Sequence, residues 1–537
     1  MAFANIKTLK IICLLLLVAF FSGCARQGTP TGGAIDTIPP VVINTIPEIN
    51  RVNFSGKKIR LSFDEFIRVN NIKGEFYTSP PMKFDPLIYP RGVTSKSLAI
   101  TIKDTLKENT TYKICFGNSI VDNHEGNVLE GYEYRFSTGK KIDTFGLKGT
   151  LSSATNEEIP KNLTLALFQP QQSLTDSLVA VSDASYITKK IDSMGVYEFS
   201  HLKEGAYQLI AIENKYYSKL FSPKKDVIGF VTQPVDISQL ASQALKIYQQ
   251  KTPFRVLTTK ELNKGHFAFT YEGNAQGVAV ELLTNENPSF DSQVVIDELK
   301  KEIHYWFQPV DQKSINLKIT NNTYSKTIEK KLRSKEFFKL DILSGNDELQ
   351  PDEVFYITSN TPIVKFDKLN IQVLDSVQEI DVKPYLSGNR MKLLLYFERK
   401  YAQEYNIKLL PNAIKDLFGQ QNDSISYAVT FKNPKDFGTI LVDFEGNYQQ
   451  GLILGLLDES GVLIAEKAMN TPKATKFEFL AAGTYALKVT YDSNNNGRFD
   501  TGNFMEKKLP ERIDIYNEEL NVEENEQLQK TIILTTE

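Results

Sequence analysis

Along most of the chain the apolar positions recur at every second residue, in short runs cut by Gly, Pro, Asn and Asp. Lys58-Ile-Arg-Leu-Ser-Phe63, Ser97-Leu-Ala-Ile-Thr-Ile102, Thr111-Tyr-Lys-Ile-Cys-Phe116 and Tyr132-Glu-Tyr-Arg-Phe136 each carry one apolar face. Successive side chains of a strand point to opposite sides, so this alternation predicts half-buried strands. Further on, Tyr197 with Phe199 and Tyr207 with Leu209 keep the same period, and Gly205 between them predicts the turn of a hairpin. His266-Phe-Ala-Phe-Thr-Tyr271, Val278-Ala-Val-Glu-Leu282 and Ile303-His-Tyr-Trp-Phe307 also read as strands. Many short strands between turns predict an all-β chain of tandem β-sandwich domains.

The pattern also repeats at long range. Tyr405-Asn-Ile-Lys-Leu-Leu-Pro-Asn412-Ala-Ile-Lys-Asp416 answers Tyr112-Lys-Ile-Cys-Phe-Gly-Asn118-Ser-Ile-Val-Asp122, with one residue more, and Val364-Lys-Phe366-Asp367 answers Phe63-Asp64. Phe477-Glu-Phe-Leu-Ala-Ala-Gly483-Thr-Tyr485-Ala-Leu487 answers residues 197–209. Two different units recurring in the same order predict a duplication.

The first unit, through Pro39-Pro40, Leu61-Ser-Phe63-Asp64-Glu65, Thr110-Thr-Tyr112, Ile120-Val-Asp122 and Phe136-Ser-Thr-Gly139, resembles the bacterial Ig-like domains of S-layer proteins. The second, through Gly146-Leu-Lys-Gly149, Gly195-Val-Tyr197-Glu-Phe199 and Gly205-Ala-Tyr207-Gln-Leu209, resembles the transthyretin-like sandwiches of surface proteins and carboxypeptidase regulatory domains. Both resemblances imply a fold and no particular activity. The expected order is an Ig-like domain at 39–140, a transthyretin-like domain at 141–243, an unassigned β-module at 244–335, a divergent Ig-like domain at 336–435 and a second transthyretin-like domain at 436–537.

The N-terminus has a different pattern. Lys7 and Lys10 precede the apolar run Ile11 to Phe21, which is of signal-peptide length and too short to span a bilayer comfortably. Phe21-Ser22-Gly23-Cys24 resembles the lipobox of bacterial lipoproteins, which implies cleavage after residue 23 and acylation (palmitate) of Cys24. A Gly/Pro/Thr-rich tether follows at 24–38. Once Cys13 leaves with the signal and Cys24 takes lipid, Cys115 is the remaining cysteine, so no disulfide framework is expected. In a strand-like run, Cys115 reads as a small packed residue rather than a nucleophile. The net charge of −3 favours neither nucleic acid nor an anionic surface as partner.

The sharpest chemical motif is Asp492-Ser-Asn494-Asn-Asn496-Gly497-Arg498-Phe-Asp500. Oxygen-bearing side chains stand at positions 1, 3, 5 and 9, with Gly at 6 and the Arg498 carbonyl available at 7, a spacing that wraps donors around one hard cation. It resembles an EF-hand-type loop, which implies a structural Ca²⁺ on Asp492, Asn494, Asn496, Arg498 and Asp500. It departs at position 12, where Asn503 replaces the bidentate Glu, with Glu506 further on as the expected substitute. The competing reading is a plain Asn/Gly turn. In the first transthyretin-like unit the corresponding stretch, residues 213–217, lacks the ligands. A second, diffuse pattern is Asp-[Ser/Thr]-aliphatic, at Thr37, Thr105, Ser177, Ser193, Ser376 and Ser424. It resembles the O-glycosylation sequon of exported Bacteroidetes proteins, and with the lipobox it implies the envelope of that phylum.

Catalytic patterns are thin. His124, His201, His266 and His304 show no zinc-like spacing. Asp64 and Glu65 are adjacent on a strand and point apart. Trp306, between Tyr305 and Phe307, reads as a core aromatic before a sugar platform. The sequence therefore predicts a non-enzymatic outer-membrane lipoprotein, with no catalytic residues and no cofactor beyond the candidate Ca²⁺. It would act as a scaffold or interaction subunit whose edge strands meet an outer-membrane β-barrel protein or other envelope lipoproteins. A surface glycan-binding adhesin is the alternative. Surface-exported lipoproteins of that phylum resemble one another in an acidic run just after the lipid cysteine, and the lack of any acid between Cys24 and Asp36 departs from it, which implies the periplasmic face.

Overall fold

The computed structural model describes residues 36–536, except 156, 171–180, 214–225, 239–240, 284–291, 311, 323 and 377. Cys24, the signal, most of the tether, Ser177 and the stretch 214–217 lie outside the described residues. The chain is all-β, a tandem array of β-sandwiches, and it divides into two compact units, 1–143 and 144–537.

The first unit is one sandwich. Val42–Ile46, Lys58–Val69, Ser95–Thr101 and Leu87–Tyr89 form one sheet in that order, with Ile120–Asp122 paired to the far end of Lys58–Val69. Tyr77–Ser79, Thr111–Cys115 and Glu133–Ser137 form the facing sheet. The expected alternation decides what is buried: Ile59, Leu61 and Phe63 meet Leu98, Ile100, Ile114 and Phe136 between the layers. Tyr112 lies in this core and its hydroxyl accepts from the Lys107 backbone N–H at 2.8 Å. Cys115 is buried, and burial pushes its thiol up to about 12, in keeping with a packed residue.

In the second unit, separate hydrophobic clusters form along the chain. The first spans Leu147 to Ile247 and the next Val256 to Ile319. The last two span Ile342 to Phe431 and Ile440 to Leu534. The strand Leu245–Gln249 packs into the first of these and pairs in parallel with Phe145–Ser153. The expected boundary at 243/244 therefore moves beyond Gln249, because Leu245 and Ile247 complete the core of the preceding sandwich.

The predicted hairpin at 197–209 is corrected. Val196–Leu202 pairs with Phe145–Ser153, whereas Gly205–Glu213 pairs with Leu163–Phe168 and Val227–Phe230. The two strands do not pair with each other; they cross from one layer to the other. Tyr197, Phe199, Tyr207 and Leu209 all face the same core from opposite sides. His201, held at φ 60°, turns the chain across the gap. The later copy does the same: Thr475–Leu480 pairs with Gly438–Gly446, Gly483–Asp492 with Gly451–Asp458, and Phe479 takes φ 56°. In both copies a tyrosine ties the crossing down, Tyr207 donating to the Lys203 carbonyl at 3.2 Å and Tyr485 to that of Ala481 at 2.7 Å.

Candidate functional site

The motif at 492–500 leaves the end of the strand Gly483–Asp492 as a closed turn. Asp492 is buried, and its carboxylate accepts from the Asn496 N–H at 3.0 Å and the Gly497 N–H at 2.7 Å. Asn494 Oδ1 accepts from the Asn496 N–H and Asn496 Oδ1 from the Arg498 N–H. The Asn494 and Asn496 side-chain amides both donate to Asp500 Oδ2, at 2.7 and 2.6 Å. The candidate ligands Asp492, Asn494, Asn496 and Asp500 are thus brought together, with Arg498 exposed beside them. Oxygen donors suit a hard cation, but the two amides here turn nitrogen, not oxygen, toward Asp500.

The residue that closes the loop is Glu511, which sequence reasoning missed. Its carboxylate accepts from the Ser493 N–H and hydroxyl and from the Asp500 N–H at 2.8 Å, and burial raises its pKa. Glu506, expected to reach back, is exposed and pairs with Lys508 at 2.8 Å. Asn503 instead caps its own turn, accepting from the Met505 and Glu506 N–H groups. Asp500 is kept below the usual carboxylate range: burial raises it, but donors from Asn494, Lys251 and Asn496 outweigh burial.

Lys251 belongs to a different stretch of chain, and with it the loop acquires a second role. Residues 498–507 dock on residues 228–251 and on Gln276. Lys251 Nζ donates to the Phe499 carbonyl at 2.8 Å and pairs with Asp500 at 3.0 Å. Thr501 Oγ1 donates to the Gln249 carbonyl, the Phe504 N–H to Gln250 Oε1, and Arg498 to Gln276 Oε1. Phe504 is fully buried, edge-on to Phe230 at 5.3 Å, with the Lys507 ammonium 4.0 Å above it. Gly502 lies so close to Tyr248 that a Cβ there would overlap the ring.

A further cluster lies between neighbouring sandwiches. His266–Glu272 and Glu302–Phe307 pair with His266 opposite Trp306 and Ala268 opposite His304. The diagonal brings His266 Nε2 within 3.0 Å of His304 Nδ1, while the His266 ring stacks on Trp306 at 3.4 Å. Phe338 and Phe418 cover the pair from the next sandwich, with ring centroids 6.1 and 6.2 Å from Trp306. Trp306 is thus buried, on the opposite face from Tyr305 and Phe307, which enter their own core. Burial first, then the neighbouring His304, pushes His266 down to about 3; His304 is also lowered by burial, against the pull of Glu302 and Asp297. Spacing in sequence held no signal for this meeting, since the two histidines stand 38 residues apart.

Among the candidate glycosylation hydroxyls that are described, Thr37, Thr105, Ser193, Ser376 and Ser424 are all exposed. The aspartate of the triplet also has a local role: Asp36, Asp192 and Asp375 cap their own turns, accepting from the N–H of Ile38, Met194 and Gln378. His124 is exposed, as its turn implied. Among the described residues, no cluster of three or more His, Cys, Asp or Glu is disposed to hold a metal ion, and no helix is long and apolar enough to cross a membrane.

With the fold in view, residues 36–138 match the family model of the bacterial Ig-like domain. That first sandwich is an Ig-like domain of the bacterial type. No curated protein matches the sequence. Among solved structures, the S-layer protein rSbsC(31-844) is 11% identical over 90% of this chain and 67% of its own, with a TM-score of 0.15. The Bacillus anthracis TIE protein is 12% identical over 94% and 76%, with a TM-score of 0.15. The major pilin subunit of Bacillus cereus is 11% identical over 73% and 99%, with a TM-score of 0.14. Scores of this size do not distinguish one string of β-sandwiches from another.

Proposed function

We propose that this chain is a non-enzymatic, multidomain lipoprotein of the outer membrane that serves as a scaffold or interaction subunit of the cell envelope. Cys24 carries the lipid and the periplasmic leaflet is its side. A β-barrel membrane protein or a fellow lipoprotein is its partner. The observation that supports a scaffold is the docking of residues 498–507 on residues 228–251: the loop with the most chemistry in the sequence is engaged in holding sandwiches together. A pull-down of tagged full-length protein in mild detergent tests it. A stoichiometric barrel protein or lipoprotein among the captured proteins supports the scaffold, and an empty capture overturns it. Unchanged processing and membrane association in Cys24→Ser would overturn the anchor.

Two modifications belong to the same reading. A structural Ca²⁺ is held by Asp492, Asp500 and the Arg498 carbonyl, with the Asn494 and Asn496 amides turning their oxygens inward to join them, and hexoses sit on Thr37, Thr105, Ser177, Ser193, Ser376 and Ser424. A mass spectrum of the mature protein without hexose additions removes the latter. The second reading, a surface glycan-binding adhesin, is favoured by the exposed tyrosines Tyr385 and Tyr396, 57% and 44% accessible on neighbouring strands.

A further inference from the structure

The sheet Ile342–Ser344, Phe355–Ser359, Lys392–Phe397 and Val382–Leu386 buries one face in the core that includes Ile342, Phe355, Ile357, Val382, Leu393 and Leu395. The strand period then fixes the outward face. Leu394 stands opposite Tyr356 on one side and Tyr385 on the other, and Tyr396 stands opposite Lys383. Adjacent strands lie about 4.8 Å apart, so the row from Tyr356 to Tyr385 is roughly 10 Å long. The Tyr385 and Tyr396 rings meet edge-on at 5.5 Å, and the Lys392 ammonium sits 4.0 Å above the Tyr356 ring. Among the residues of these four strands that face outward there is no Asp or Glu, although the chain as a whole is net acidic. Asp381, at the margin, is engaged by Lys368 at 2.8 Å.

We propose that this face binds an anionic polysaccharide, with the exposed Tyr385 and Tyr396 rings taking the apolar faces of the sugars and Lys383 and Lys392, the latter seated over Tyr356, taking carboxylate or sulfate groups. A flat, open sheet suits a linear polymer lying across it, whereas a small molecule needs a concave site to bury its surface. An exposed apolar patch rimmed by polar groups is an interaction surface. Asp381, the acid at the margin within electrostatic reach of Lys383, is already paired with Lys368, so the outward face of the four strands stays net cationic and selects a negatively charged partner over a neutral one. This deepens the adhesin reading, on which it rests, by naming the ligand class and the face.

Full-length protein in mild detergent, run through native gels containing polygalacturonate, dextran or oligo-dT, tests the assignment. The expected result is retardation by polygalacturonate alone, weakened by added salt. Tyr385→Ala with Tyr396→Ala, and separately Lys383→Gln with Lys392→Gln, should each weaken it about tenfold. All four positions lie on the surface, and an unchanged melting temperature and Trp306 emission show that the variants are folded. Retardation that persists undiminished in both variants overturns the face while the adhesin reading stands. Equal retardation by dextran or oligo-dT overturns the ligand class. No retardation in any gel overturns both the face and the adhesin reading.

Discussion

Asp122 and Asp416 end equivalent strands in the two copies of the motif that recurs along the chain, and both are buried. Each heads a turn through its carboxylate, yet the turns have diverged. Asp122 accepts three backbone N–H groups, from Glu125, Gly126 and Asn127, all within its own loop, and the tip residue His124 faces water. Asp416 accepts the N–H groups of Phe418 and Gln420, and in addition the Thr361 hydroxyl and the Gln420 amide. Gln420 in turn holds the incoming chain, donating to the Phe338 carbonyl at 2.7 Å and accepting from the Leu340 N–H at 3.1 Å. Phe338 and Phe418 then cover Trp306 of the preceding sandwich. One turn stays a local brace, while the other has become a seam between sandwiches.

Charge separates them in the same way. At Asp122, burial raises the pKa but the surrounding N–H groups outweigh it, so the carboxyl sits below its ordinary range. At Asp416, burial wins over the donors and the carboxyl sits above it. The largest expected effect follows from this. Asp122→Asn should destabilise the first unit by roughly 2–3 kcal/mol, because hydrogen bonds to a charged acceptor are the strong ones. Asp416→Asn should cost less, about 1–2 kcal/mol, because burial already penalises the charge there, although the new amide NH2 would face donors from Thr361 and Gln420. Hydrogen exchange at Ile114 and Ile407 reads the two units separately, and equal losses would collapse the contrast.

The seam gives the next effect. Phe418→Ala should cost about 2 kcal/mol, less than a fully buried Phe because Phe418 is half-buried, and should shift the emission of Trp306 to the red. His124→Ala, at the tip of the first turn, should stay within about 0.5 kcal/mol. An unshifted emission in Phe418→Ala would mean that the seam does not depend on the turn.

Acid sharpens the contrast further. His266 is held neutral to about 3, against an ordinary value near 6.5, so its contribution to the seam is complete above about 6.5 and is lost as pH falls from there toward 3. Asp122 is depressed, so its contribution is present at neutral pH and lost as pH falls through its lowered value. Asp416 is raised, so its contribution is absent above its raised value and grows as pH falls through that value toward the ordinary carboxylate range. Trp306 emission followed from pH 7 to 3 should therefore change before the first unit loses stability. A first unit that fails earlier would reverse the assignment.

Asp492 extends the comparison to a third aspartate-headed turn, this one docked through Gly502 and Phe504. Calcium at 1 mM should raise stability by only about 0.4–1.4 kcal/mol if the site binds in the 10⁻⁴–10⁻³ M range. A melting temperature indifferent to calcium would leave the loop as a turn alone.

The period of two made the strands and their buried faces legible, because burial on one side decides every second residue from Ile59 to Ile532. It could not tell which strand pairs with which. Tyr197 and Tyr207 face one core whether their strands pair in a hairpin or oppose each other across it, so the crossing at His201 was invisible. The oxygen spacing from Asp492 to Asp500 was legible as a compact loop, but Glu511 was not, because it returns from beyond the docked segment. Nor did local sequence carry the meeting of His266 with His304; aligning the two aromatic-rich strands as an antiparallel pair would have found it.

The docking of residues 498–507 also sets how the second unit bears tension. Lys251, Gln249 and Tyr248 grip a loop some 250 residues further along the chain. A pull between residue 144 and the C-terminus is therefore carried across that grip, bypassing the two sandwiches between. The first of those sandwiches touches the same loop through Gln276 and Arg498, so the clasp shields the His266–Trp306 seam only in part while Phe504 stays on Phe230. Release of that clasp is what would let the slack of the chain between residues 251 and 498 be drawn out.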